Sequence, residues 1–203
     1  MPLFYKLKLF FIHIPKTGGT SVEDYLYRKT NTRKTISTFF SHNCSVRLNK
    51  HTLQHSTYEE LIKCRKSLDF NIENLKLFTV VRNPYDRIVS ELFYIGRINI
   101  HSNKKFVEDK IIEFLDDDYH YDNHKLPQYK FISYKEKLIP KITIMKNEQL
   151  NEDMHEYGFK NFDESSNKTH KGKINYVELL SDKAKKIIYE YYKKDFELFN
   201  YDK

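Results

Sequence analysis

The sequence is poor in the residues and segments that mark several classes of protein. Its 203 residues include no Trp, five Gly, five Pro and two Cys, and no apolar run approaches the roughly 18 residues that a membrane-spanning helix needs. With so little Gly and Pro and 31% charged residues, the composition argues against a fibrous or disordered chain. Cys44 and Cys64 lie outside the CxxC spacing, which argues against a zinc site or a disulfide framework and predicts two reduced thiols.

The charge of the chain is basic. A formal net charge of +7 and a pI near 9.1 favour anionic partners: nucleotides, sulfated or uronate-bearing glycans, nucleic acid or a membrane surface. The lysines are scattered rather than gathered in one arm, which weakens the case for nucleic acid. A length of 203 residues predicts a single domain over residues 1–203.

Two segments have the pattern of a buried strand followed by a sharp loop and a helix. Residues 7–14 are mostly apolar and lead into a loop at 15–21, and residues 75–81 lead directly into Arg82 and a helix over 85–95. Continuous apolar strands are typical of a parallel sheet that is covered on both faces, and open α/β sheets bind ligands at the carboxyl ends of their strands. The sequence therefore predicts an α/β fold, a short parallel sheet flanked by helices, with two neighbouring anion sites.

Periodicity and capping residues predict the other elements. Ser56-Thr-Tyr-Glu59 has the spacing of a capping box, and Ser181 can cap a long final helix. The carboxylates of residues 116–118 are expected to be solvated. The further predicted elements are helices over 21–29 and 106–115, a polar loop over 116–124 and a strand over 141–146.

The loop at residues 15–21 has the composition of a phosphate-binding turn. Backbone N–H groups at a glycine-containing turn before a helix bind an anion, and Lys16 adds a positive charge. The loop is not the nucleoside-triphosphate pattern GxxxxGK[ST], because Gly19 rather than a lysine precedes Thr20. The pattern therefore implies an anion site and no metal ligand.

These motifs resemble those of a known family. His13-Ile-Pro-Lys-Thr-Gly-Gly-Thr-Ser21 resembles the 5′-phosphosulfate-binding loop of sulfotransferases that use 3′-phosphoadenosine 5′-phosphosulfate (PAPS), and Val81-Arg-Asn-Pro-Tyr-Asp-Arg87 with Ser90 resembles their 3′-phosphate-binding segment. The branch it resembles is the carbohydrate branch that includes heparan sulfate 2-O-sulfotransferase and small bacterial relatives. Shorter similarities follow in the family's order at residues 54–60, 126–128, 145–150, 167–169 and 195–201.

The resemblance implies PAPS-dependent transfer of a sulfuryl group to a hydroxyl acceptor, a carbohydrate in this branch. It implies that Lys16 contacts the bridging region of the phosphosulfate and stabilises charge on the leaving phosphate. Arg82 and Ser90 are implied to hold the 3′-phosphate, which arginine can meet in a bidentate fork. A late basic loop with Lys171 and Gly172 is implied to assist there, with a solvated basic turn as the alternative. The residues implied to hold the 5′-phosphosulfate are Pro15, Lys16, Thr17, Gly18, Gly19, Thr20 and Ser21.

Transfer to an alcohol needs a base that takes the hydroxyl proton, and histidine suits neutral pH. In this family the base lies between the two nucleotide motifs, where His55 matches the family pattern best and His51 is the alternative. His42 lies in the same interval, and relatives that use a carboxylate leave Glu59 and Glu91 open as catalytic groups.

Other assignments remain open at this point. Gln128 resembles a glutamine near the acceptor site of the branch, with a structural role in a turn as the alternative, and Arg87 is interpreted as structural. A P-loop-type nucleotide kinase would require ATP and magnesium, and a basic module could bind nucleic acid without catalysis. Animal members of the family carry a membrane anchor and lumenal disulfides, and this sequence departs from them in both respects. We therefore expect a soluble, cytoplasmic protein, with the Golgi lumen only if an anchor is missing from this sequence.

Overall fold

A four-stranded sheet organises the chain. The structure is a computed structural model that describes residues 2–32, 53–64, 74–119, 121–163 and 175–203, without the side chains of Leu53 and Cys64. The prediction of two reduced thiols falls on Cys44 and the Cys64 side chain and so lies outside these parts. In the order of the sheet, the strands are β1 (Leu3–Phe4), β2 (Leu9–Ile12), β3 (Lys76–Val81) and β6 (Thr143–Lys146).

The three longer strands of this sheet are parallel. β2 pairs with β3 and β3 with β6 in parallel, whereas the short β1 is antiparallel to β2. The predicted α/β fold with a mostly parallel sheet is therefore confirmed. β2 is shorter than predicted because Lys8 is left-handed (φ 51°) and breaks the strand on its N-terminal side. A second left-handed residue, Lys141 (φ 59°), likewise delays the start of β6.

Helices cover both faces of the sheet. The three helices predicted with bounds, over 21–29, 85–95 and 106–115, are observed within two residues of those bounds at each end. A small hairpin of β4 (Ser133–Tyr134) and β5 (Lys137–Leu138) forms a second sheet. The helices in the described parts of the chain are α1 (Gly19–Thr30), α2 (Tyr58–Cys64), α3 (Pro84–Tyr94), α4 (Lys104–Asp116), α5 (Gln128–Phe131), α6 (Leu150–Glu156) and α7 (Asp182–Phe199).

Two helix starts show how the caps are formed. The Ser181 hydroxyl accepts the N–H of Ala184 at 3.0 Å and caps α7, as predicted. The capping box of α2 is displaced by one residue from the prediction. The Thr57 hydroxyl accepts the N–H of Glu60 at 3.2 Å, and the Glu60 carboxylate accepts the N–H of Thr57 at 2.6 Å.

The core is built from alternating strand residues. On one face of the sheet Phe11 stacks on Phe78 with ring centroids 4.8 Å apart, in the apolar cluster that includes residues of α1 and α6. On the other face Phe10 and Ile12 belong to the cluster that includes Phe131. A third cluster joins α3, α4 and α7. Each aromatic ring buried in this way contributes roughly 1.5–3 kcal/mol, so β2 and β3 are held rigidly beneath the loops that follow them.

None of the helices in the described parts of the chain is both long and apolar enough to cross a bilayer.

Candidate functional site

The loop between β2 and α1 turns through two left-handed residues. Lys16 has φ 65° and Gly18 has φ 89°, and Gly18 is the N-cap of α1. The buried hydroxyl of Thr17 donates to the carbonyl of Ile14 at 2.9 Å and so holds the loop closed. The first N–H groups of a helix have no partner within the helix, so the start of α1 presents donors and a positive dipole end to an anion. Thr20 is exposed there.

Gly19 allows α1 to pass very close to His13. A Cβ at Gly19 would lie 2.5 Å from both Cδ2 and Nε2 of the His13 ring. His13 is 4% exposed, and its Nδ1 makes a short hydrogen bond to Glu23. The side-chain amide of Gln54 donates to the same carboxylate at 3.1 Å. The second glycine of the loop is therefore required by packing against a ring that cannot move aside.

Lys16 is held against an aromatic ring. Its Nζ lies 4.0 Å from the centroid of Tyr94. Burial lowers the pKa of Lys16, the neighbouring Glu91 carboxylate opposes that shift, and the positive charge of Arg82 adds to it. The side chain is thus a partly desolvated cation whose charge is worth more to an anion than that of a surface lysine.

Arg82 follows β3 directly and meets the first loop. Its Nη1 donates to the carbonyl of Lys16 at 3.3 Å, and its guanidinium lies 5.2 Å from the ring centroid of Tyr176. Its Nε is buried and has no hydrogen-bond partner among the described residues. A buried guanidinium donor without an acceptor is the arrangement that an anionic ligand would complete.

Gln128 fixes the backbone of Arg82. Its side-chain amide accepts the N–H of Arg82 and donates to the carbonyl of the same residue, both at 2.8 Å. The Asp195 carboxylate accepts the backbone N–H groups of Gln128 and Tyr129 at 2.7 and 2.9 Å. Gln128 is 0% exposed. Gln128 is therefore buried and supports the backbone of Arg82, and its proximity to the acceptor site stays a prediction.

Arg87 ties two loops together. This buried side chain (3% exposed) donates to the carbonyls of Pro15, Leu126 and His124 at 3.0, 2.9 and 2.8 Å. Its guanidinium is occupied by backbone oxygens, in agreement with the structural interpretation. Ser90 lies on α3, half-buried, two turns beyond Arg82.

Three histidines form a row beside these cations, and each pairs with a carboxylate through Nδ1. His55 meets Asp122 at 2.7 Å and His124 meets Glu91 at 2.7 Å, while His13 meets Glu23. The His55 ring centroid lies 5.2 Å from that of His13 and 4.9 Å from that of His124, edge to face in both cases. The His124 ring also stacks on Tyr94, the residue that contacts Lys16.

The environment of His55 changes its protonation. Burial lowers its pKa to about 4, with the hydrogen bond to Asp122 opposing that shift, so the ring is neutral near pH 7. A neutral ring that donates from Nδ1 to Asp122 has its lone pair on Nε2. The site thus holds a histidine whose tautomer is set for accepting a proton.

Sequence reasoning missed Asp122 and His124. Both lie in the loop that was predicted to be polar, in a turn where residues 121–123 are all left-handed. Asp116 and Asp118 are exposed as expected, whereas Asp117 is half-buried and pairs with Arg97 at 3.6 Å. The local signal was a histidine two residues after an aspartate, which is too weak to identify without the fold.

The other predicted residues are separated from this row or are not described. Glu59 pairs with Lys63 at 3.0 Å and accepts the N–H of Lys135 at 3.1 Å at the surface of α2, whereas Glu91 belongs to the histidine row. His42, His51, Lys171 and Gly172 lie outside the described residues.

The comparisons with known proteins point to one family. A family model described as the sulfotransferase family matches residues 4–202. No curated protein and no solved structure matches the chain.

Proposed function

The chain belongs to the sulfotransferase family, and on this premise we propose that it transfers a sulfuryl group from PAPS to a hydroxyl group, with a carbohydrate as the acceptor. Residues 1–203 would form one sulfotransferase domain. The choice of PAPS and of a carbohydrate rests on the resemblance of the two nucleotide motifs to the carbohydrate branch.

One observation carries the proposal: the two predicted anion-binding segments touch. Arg82 donates to the backbone of Lys16 although 66 positions separate them in the chain. One cation follows β2 and the other follows β3, which are adjacent and parallel. A ligand with two separated anionic groups on one adenosine would use both.

The donor would lie across the ends of β2 and β3. The N–H groups at the start of α1 and the Thr20 hydroxyl would hold the 5′-phosphate, and Lys16 would stabilise the charge that grows on the leaving oxygen. Arg82 would hold the 3′-phosphate through the donors that the protein leaves available, assisted by Ser90.

The transfer step is a displacement at sulfur. The acceptor oxygen forms a bond to sulfur while the bond from sulfur to the 5′-phosphate oxygen breaks, and that oxygen leaves with the electron pair as 3′-phosphoadenosine 5′-phosphate (PAP). The acceptor proton passes to Nε2 of His55. Asp122 is a positioning residue that keeps the ring in this tautomer and orientation. Holding donor and acceptor in a fixed relative geometry accelerates the reaction further through proximity and orientation.

Calorimetry with PAP tests the donor site. Lys16→Ala and Arg82→Ala each remove a charged hydrogen bond to a phosphate, worth about 1.5–3 kcal/mol, which is roughly a 10–100-fold loss of affinity. Arg28→Ala is the matched control, since Arg28 is exposed in the last turn of α1, away from the loop. Unchanged PAP affinity in both site variants would remove the proposal.

A thermal-shift comparison separates the other functions. PAP should stabilise the protein, whereas a kinase would respond to ATP with magnesium and a nucleic-acid module to an oligonucleotide. Radiolabelled PAPS offered with glycans and small alcohols then identifies the acceptor. His55→Ala should retain PAP binding and lose transfer; full transfer by this variant would exclude His55 as the base.

A further inference from the structure

The histidine row contains more ligating groups than the transfer reaction uses. One nitrogen from each of His55 and His124 and one oxygen of Asp122 all lie within 4.8 Å of one another. In the proposed reaction His55 accepts the proton and Asp122 positions it, whereas His124 has no role. We propose that His55, Asp122 and His124 together bind a divalent transition-metal ion, zinc in preference to magnesium or calcium.

The donor set decides the class of metal. Two imidazole nitrogens and one carboxylate oxygen are ligands typical of zinc, whereas magnesium and calcium prefer oxygen alone. Zinc bonds of about 2.0–2.2 Å place neighbouring ligand atoms a little over 3 Å apart. Nδ1 of His55 and Oδ2 of Asp122 are 2.7 Å apart, and the three ligand atoms lie within 4.8 Å of one another, so zinc binding requires that pair to open slightly and His124 to move closer.

The groups behind the ligands are those that metal sites require. Glu91 accepts a hydrogen bond from Nδ1 of His124 at 2.7 Å, which orients the ring and makes Nε2 the ligating atom. Glu91 is 2% exposed, and its second oxygen has no partner among the described residues. This buried carboxylate is the outer-shell group of a carboxylate–histidine–metal triad.

The loop that carries two of the ligands is also pinned to the third. The side-chain amide of Asn123 donates to the backbone carbonyl of His55 at 2.8 Å, and Arg87 donates to the carbonyl of His124 at 2.8 Å. Asp122 is itself left-handed (φ 53°). Such a conformation costs free energy in a residue other than glycine and persists only where the surroundings impose it.

Bound zinc would act as an inhibitor of the proposed transfer. An ion held by His55 and Asp122 replaces their hydrogen bond and competes with the proton for the imidazole. Three protein ligands leave a fourth position open to water or to the acceptor. This consequence rests on the proposed function, whereas zinc binding itself does not.

Zinc titration of the full chain tests the binding. Calorimetry should give one Zn²⁺ per chain in the wild type, and His124→Asn and Asp122→Asn should each weaken binding roughly 10–100-fold, while Glu91→Gln weakens it as an outer-shell change. His101→Asn, an exposed histidine in the loop before α4, is the matched control. Magnesium at the same concentration should give no binding heat.

A measurement on the wild type keeps the test independent of how the variants fold. In NMR spectra, zinc should shift the ring-nitrogen resonances of only two of the nine histidines, His55 and His124. The zinc site would be overturned if the wild type failed to bind stoichiometric zinc, if all variants still bound it, or if resonances of other histidines shifted. The PAP calorimetry described above reports on the sulfotransferase assignment separately, so the two proposals fail by different readouts.

Discussion

Replacing Gly19 with alanine tests the claim that the loop is set by packing against His13. The added Cβ would lie 2.5 Å from two atoms of the buried ring, where ordinary carbon contacts are about 3.5–4.0 Å. Relief therefore needs a shift of about 1 Å in α1 or in His13, and the ring is held by Glu23 and Gln54. Overpacking of this kind costs up to about 3 kcal/mol. The better helix propensity of alanine returns about 1 kcal/mol, which leaves a net destabilisation of about 2 kcal/mol.

Thermal unfolding and PAP calorimetry measure the two consequences. A loss of about 2 kcal/mol lowers the Tm of a chain of this size by roughly 4–8 °C, and displacement of the loop should weaken PAP binding. Gly96→Ala is the control: Gly96 has φ +70° with nothing within 4 Å of an added Cβ, so the alanine would carry backbone strain of about 1–2 kcal/mol without touching the site. The packing argument fails if Gly19→Ala melts with the wild type and binds PAP equally well.

Three further predictions concern the supports of the site and of α2. Gln128→Leu leaves the backbone N–H and C=O of Arg82 without their partner, so unfolding should become easier by about 2 kcal/mol and PAP should bind more weakly; equal stability in urea would contradict this. Burial raises the pKa of Asp195 to about 6, so its contribution to stability is full below pH 4 and declines by about 3 kcal/mol as the pH rises through 6. Asp195→Asn should remove that slope from denaturation curves at pH 4–7, and an unchanged slope would show that other groups cause it. Thr57→Ala removes the cap of α2 and should cost about 1 kcal/mol by urea denaturation, whereas Glu59→Gln should cost almost nothing; equal effects would favour the box one residue earlier.

Much of the fold could be predicted because strands and helices are local features. The apolar runs before residues 15 and 82 are typical of buried strands, and the segments at 85–95 and 106–115 lie within one and two residues of the bounds of α3 and α4. Where the bounds differ, the cause is a backbone conformation that composition does not reveal, such as left-handed Lys8. The register of the capping box was wrong because Ser56 and Thr57 are both suitable caps, and the path of the chain into α2 decided between them.

The candidate site likewise contains residues that local sequence identifies and residues that only the fold brings together. Residues 13–21 and Arg82 were identified from the sequence because a phosphate-binding turn depends on consecutive residues at a strand end, and their roles remain predictions. Asp122, His124 and the true position of Gln128 depend on contacts between residues more than thirty positions apart. No local pattern encodes such contacts, because they arise only when the packing of α3 and α7 brings a polar loop against β2 and β3. The sequence by itself thus determined the fold and the turns predicted to bind anions, and the tertiary structure alone decided which histidines meet which carboxylates.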